Sequence, residues 1–130
     1  MRVAIGLSVF LLLGAWPAAT QAPGPLAAVE PGLWALRGAG GEALGNFCLG
    51  DPTLLAQPVV NAAQPCTRQL ISSDLHSATI SYVCPGLGRG QSVLRVETPR
   101  LVQIDSQGLS RGVPFALRSE ARKVGPCPGN

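Results

Sequence analysis

The run Ser72-Ser73-Asp74-Leu75-His76-Ser77 places the chain's one histidine beside three serines and a carboxylate. A serine, a histidine and an acid can act as nucleophile, base and orienting group when a rigid frame holds them. Here all of them share one short polar run, and Ser, Asp and His are ordinary turn residues. A turn is therefore expected rather than a catalytic triad. A second run, Pro85-Gly86-Leu87-Gly88-Arg89-Gly90-Gln91-Ser92, has the glycine content of a phosphate-cradling loop. Such a loop needs a lysine before its Ser or Thr and opens a helix. This run lacks the lysine and lies between strand-like stretches, so a flexible connection is expected. The seven acids are scattered, with no pair placed to flank a scissile bond. Glu97 and Glu120 are expected to meet Arg95, Arg118 or Arg122 as surface ion pairs of small energetic weight. Neither a catalytic residue nor a cofactor site emerges, and the expectation is a non-enzymatic chain.

The four cysteines, Cys48, Cys66, Cys84 and Cys127, are separated by 18, 18 and 43 residues. Zinc sites pair ligands two to four residues apart, so no metal site is expected and two disulfides are. The amino terminus agrees with that reading. Met1-Arg2 precedes an apolar run from Val3 to Ala15, and small residues and prolines follow. This is the layout of a secretory signal peptide over residues 1–22, with cleavage between 18 and 28. The run is shorter than the roughly 20 residues a membrane-spanning helix needs, so no transmembrane segment is expected after cleavage. A flexible Pro/Ala leader over 23–30 and a single domain over 31–127 complete the expected organisation.

Glycine and proline interrupt the rest, and short alternating runs point to a mainly β domain. Strands are expected over 32–36 and 44–49. Asp51 followed by Pro52 signals a helix start, with about two turns to Gln57 before Pro58. A hairpin folded about Leu75 would oppose Cys66 to Cys84, Arg68 to Tyr82, Leu70 to Ile80 and Ser72 to Ala78. Opposed residues on antiparallel strands lie within disulfide range, which predicts Cys66–Cys84 and leaves Cys48–Cys127. Arg68 would stack on Tyr82. Residues 91–97 would pair with 101–106, setting Leu94 and Val96 against Ile104 and Val102. A turn over 108–112 would lead into a half-buried strand carrying Val113, Phe115, Leu117 and Ala121 inward. The sum is an antiparallel meander of six or seven strands curled around one short helix, held by two disulfides.

Charge is unevenly spread. Residues 23–85 sum to −2, whereas residues 86–130, with six arginines and Lys123 against Glu97, Asp105 and Glu120, sum to +4. No arginine cluster is interleaved with aromatics, so nucleic acid is not an expected partner. Two readings of partners follow. A pocket lined by Trp34, Phe115 and Leu117 would mark a module for a small apolar ligand or a partner. Arg95, Arg118, Arg122 and Lys123 gathered on one face would instead mark an envelope protein touching anionic lipid or polysaccharide.

The order of motifs also resembles a family of small exported proteobacterial proteins known only as a domain of unknown function. The residues that carry the likeness are Pro31-Gly32-Leu33-Trp34, Cys48-Leu49 before Asp51-Pro52, Cys66-Thr67-Arg68, Tyr82-Val83-Cys84-Pro85-Gly86, and Arg122-Lys123-Val124-Gly125-Pro126-Cys127. Ala35 stands where that family often has an acid. The resemblance implies a periplasmic β-rich domain of a Gram-negative bacterium and supplies no catalytic residue.

Overall fold

The computed structural model describes residues 14–15, 24–57 and 65–129. All of the expected signal peptide but residues 14–15, most of its cleavage window and the helix stop at Pro58 lie outside the described residues. Seven strands follow in chain order: β1 (Gly32–Gly38), β2 (Ala43–Leu49), β3 (Thr67–Ser73), β4 (Ser77–Cys84), β5 (Gly88–Thr98), β6 (Leu101–Ser110) and β7 (Val113–Gly125). They form one antiparallel sheet in the order β2-β1-β7-β6-β5-β4-β3. Strands β3 to β7 are a meander, and β1 then adds to the free edge of β7 with β2 outside it. Among the described residues, no helix is long and apolar enough to cross a membrane.

Period-two alternation sends one set of side chains to an inner face. Trp34, Leu36, Ile80, Leu94, Val102, Ile104 and Ala121 are buried there. A 3-10 helix, η2 (Pro52–Ala56), lies across β4, β5 and β6 and buries Leu55 and Ala56 against this face. Removing a leucine side chain from water contributes about 1.5–3 kcal/mol. The helix is shorter and tighter than the two turns expected. Its bonds run from Leu54 N–H to Asp51 and from Gln57 N–H to Leu54, the short-range pattern of a brief 3-10 piece. Asp51 caps it as expected, accepting from Thr53 N–H at 2.9 Å.

The Pro/Ala leader is a correction. Pro25–Ala28 forms a second 3-10 turn, η1. Leu26 packs on the core and Val29 is buried. Glu30 N–H donates to Pro99 O at 2.9 Å, and Glu30 O accepts from Trp34 Nε1 at 3.0 Å. Apolar burial and satisfied backbone groups hold this stretch in place where composition suggested slack.

The register of β4 with β5 and β6 sets the inner and outer faces, and Leu94↔Ile104, Arg95↔Gln103 and Val96↔Val102 pair as expected. The β3–β4 hairpin pairs Arg68↔Tyr82 and Leu70↔Ile80, but Ser73, not Ser72, faces Ala78. The cause is the loop. Asp74 N–H bonds Ser77 O, and the Asp74 carboxylate accepts from His76 and Ser77 N–H at 2.8 and 2.7 Å. That closes a two-residue loop whose pairing is one residue out of step with the disulfide end. A bulge between Leu70 and Ser72 absorbs the difference. As β3 is an edge strand, Leu70 and Ile71 remain more than half exposed.

Two further boundaries shift. The glycine-rich run expected as a flexible connection is mostly strand, since β5 begins at Gly88, and only Pro85, Gly86 and Leu87 turn. Likewise β6 continues through Gly108 to Ser110, and the turn is just Arg111-Gly112, both left-handed with φ of 50° and 80°. This is the primed two-residue turn whose twist matches a hairpin. In β7 Ala121 is buried, Phe115 and Leu117 are half-buried, and Val113 is exposed at the sheet's end.

Both disulfides match the expected pairing. Cys66–Cys84 clamps the entry of β3 to the end of β4, with Cα atoms 4.2 Å apart. Cys48–Cys127 ties β2 to the tail after β7 at 5.5 Å, with β1 lying between those two strands in the sheet.

Candidate functional site

One inner-face row runs Arg68–Tyr82–Gly90–Gly108–Phe115 across five strands. Its two glycines leave room for different neighbours, Gly90 for the Tyr82 ring and Gly108 for the facing backbone of β5. A Cβ on Gly90 would lie 2.6 Å from the Tyr82 hydroxyl oxygen and 2.7 Å from Gln107 O. A Cβ on Gly108 would strike the Arg89 carbonyl. Tyr82 is 2% exposed, and its hydroxyl has no hydrogen-bond partner among the described residues. Burial pushes the phenol above its ordinary value. A buried hydroxyl without a partner carries a desolvation cost of about 1–3 kcal/mol. Phe115 closes the row. A groove of about 580 Å³ crosses the sheet at this row, lined by Tyr82, Gly90, Gly108 and Phe115 and by Ser81, Val83, Arg89, Gln91, Gln107 and Leu109, which alternate to the outer face.

Arg68, at the row's other end, holds η2 to the sheet. Its Nε donates to Thr53 Oγ1 at 2.9 Å, one terminal nitrogen to Gln57 Oε1 at 3.0 Å, and the other reaches Asp51 Oδ2 at 3.5 Å. The cross-strand register with Tyr82 is as expected, but the guanidinium is committed to η2. Partial burial raises the Asp51 carboxyl. Hydrogen bonds from the Thr53 N–H and hydroxyl, with the Arg68 charge and hydrogen bond, outweigh it and hold the group below its ordinary value. One row further in, Ser92 and Ser106 hydrogen-bond each other, and the Ser92 hydroxyl donates to Ala56 O. Gln57, 2% exposed, has no partner for its Nε2 among the described residues. Two unsatisfied polar groups, from Tyr82 and Gln57, thus flank Arg68 on the side of the sheet that η2 covers.

The outer face is different in kind. Arg95 meets Glu97 at 2.8 Å, Arg118 meets Asp105 at 3.4 Å, and Arg122 meets Glu120 at 3.2 Å. Gln103 bridges by donating to Glu120 Oε2 at 3.0 Å. That bond, the Arg122 hydrogen bond and the charges of Arg122 and Arg37 outweigh slight desolvation and depress the Glu120 carboxyl. A wider depression of about 630 Å³ lies among these chains. It is larger than the Tyr82 groove, yet its polar groups answer one another.

The expected ligand-lining trio does not come together. Trp34 is fully buried and sits opposite Lys123, eight residues along β7 from Phe115, roughly 26 Å at strand rise. Leu117 belongs to the next inner row, opposite Ser106. Of the three, only Phe115 lines the groove. The basic cluster is corrected too: Arg95, Arg118 and Arg122 share the outer face. Lys123 alternates inward, and its Nζ meets Glu30 at 3.2 Å. His76 is exposed in its turn. Tyr82, Gly90 and Gly108 were not singled out from sequence as a site. The available signal was glycine inside strand stretches, which marks a close approach.

No family model matches this chain, and neither does any curated protein or any solved structure. Two disulfides point to an oxidising, extracellular or periplasmic environment.

Proposed function

We propose that this chain is a non-enzymatic binding domain of the periplasm, taking a small apolar ligand with one polar acceptor in the Tyr82–Phe115 groove. The observation that carries the reading is the buried Tyr82 hydroxyl, without a partner among the described residues, set over Gly90 in the same row as Phe115. A ring or acyl body would lie against the half-buried Phe115, and an acceptor oxygen reaching in past it would satisfy the phenol. The likeness of its motifs to an exported family supports the compartment. The alternative, an envelope contact through the basic face, has less support because its arginines meet acids and Lys123 turns inward.

Tyr82 is the chain's one tyrosine, so its ring resonances are unambiguous by NMR. Titration with a panel of small aromatic and fatty acids is expected to shift them, and Phe115→Ala to abolish the shift. Ring signals that ignore every compound, or that shift equally in the variant, would sink the reading.

A further inference from the structure

The end of the sheet beside this groove carries a second feature. Two turns meet there, Pro85–Leu87 between β4 and β5 and Arg111-Gly112 between β6 and β7. Arg111 N–H donates to Leu87 O at 2.9 Å, so the turns form one tip. Residues 81–91 and 107–116, which span this tip and the groove beside it, carry Arg89 and Arg111 and no acid. Neither arginine has an ion-pair partner among the described residues, and both are exposed. Val83 and Val113 are 53% and 65% exposed beside them, with Pro85 and Pro114 also in solvent.

We infer that this tip docks on an anionic lipid bilayer surface. Apolar side chains at a protruding end enter the headgroup boundary, while long arginine stems reach back to place charge among phosphates. Charge complementarity selects the partner, since an acid-free, doubly basic end meets an anionic surface favourably. The backbone at Arg111 favours the same reading. A primed turn wants Asn or Gly at that left-handed position, yet an arginine occupies it with φ of 50°, a local cost that points to use. The proposal does not rest on the groove holding a ligand.

The test is co-sedimentation of the oxidised, exported protein with vesicles of phosphatidylglycerol mixed into phosphatidylcholine, against phosphatidylcholine alone, at low and high salt. Binding is expected to the anionic vesicles only and to weaken with salt. Arg89→Gln with Arg111→Asn should lower affinity about thirtyfold, at the usual weight of two basic residues near a charged bilayer. The pair Arg95→Gln with Arg122→Gln removes the same charge from the outer face and should change affinity far less. Arg111→Asn alone should melt higher, because asparagine suits the turn, and still bind about fivefold more weakly. A gain in stability with a loss of affinity is not what a purely structural arginine would give. Equal binding to neutral vesicles, no binding to either, native affinity in the tip variant, or an equal loss in the outer-face variant would each overturn the proposal.

Discussion

The two faces of this sheet are made from the same strands, one residue out of phase, and behave as different materials. On the inner face, Trp34, Ile80, Leu94 and Val102 are fully buried, and polar groups there are tied to η2 through Arg68, Ser92 and Ser106. The outer face instead carries exposed arginines and acids that pair in solvent. The contrast teaches where stability resides. Displaced water and satisfied buried groups hold the fold together, whereas the ion pairs contribute little because water screens them.

The sharpest way to break that contrast is Trp34→Ala, expected to cost about 3–5 kcal/mol in denaturant unfolding. The outer-face Arg122→Gln should stay within about 0.5 kcal/mol. Comparable losses from the two would show that the outer ladder is structural after all. Next in size, replacing Cys66 and Cys84 by serine frees a link of 18 residues' separation, worth about 3 kcal/mol in the chain-entropy account. The edge strand β3 should then exchange its amides first, while β5 and β6 remain protected; uniform exchange would contradict this order. Arg68→Met tests the polar tie between η2 and the sheet. It leaves Gln57 Oε1 buried without a donor, and about 1–3 kcal/mol is expected. A variant as stable as the native chain would show that η2 is held by Leu55 and Ala56 alone.

The smallest effects are in pH, and the two faces should answer at opposite ends of the scale. On the outer face, hydrogen bonds from Gln103 and Arg122 depress Glu120. Its small contribution is present above the ordinary glutamate range and is lost as pH falls through the depressed folded value. The Glu120→Gln variant should therefore show a flatter acid limb. On the inner face, burial raises the Tyr82 phenol. The neutral form is favoured in the fold, so that stability is complete below about pH 10 and fades as pH climbs through the raised value. Ultraviolet titration of the lone tyrosine should show ionisation only above the ordinary range, and Tyr82→Phe should remove the alkaline loss. Tyrosine ionising at its free value would mean that the hydroxyl is wet.

Much of the molecule was legible before its structure. Alternation placed Leu94, Val96, Val102 and Ile104 on one face, and Asp51-Pro52 announced a capped turn, because both signals are local. The spacing of Cys66 and Cys84 about a hairpin was legible for the same reason. The bulge near Ile71 was not, since it arises only when the loop fixed by Asp74 meets a disulfide set one residue out of step. The order of residues within each strand was enough to tell inside from outside, save where η1 ordered a Pro/Ala stretch and where Val113 emerged past the cover of η2.

Periodicity, turn chemistry and the hairpin spacing of Cys66 and Cys84 act over a few residues. The centres of the strands, the capped turn and that disulfide were therefore readable from sequence, and Cys48–Cys127 followed as the remaining pair. Tertiary structure alone decided that β1 joins β7, which buries Trp34 far from Phe115 and turns Lys123 toward Glu30. It alone laid Tyr82 over Gly90, and brought Arg89 and Arg111 to one acid-free end. Those arrangements depend on which strands become neighbours, and neighbours distant in sequence are chosen by how the whole inner face can be covered.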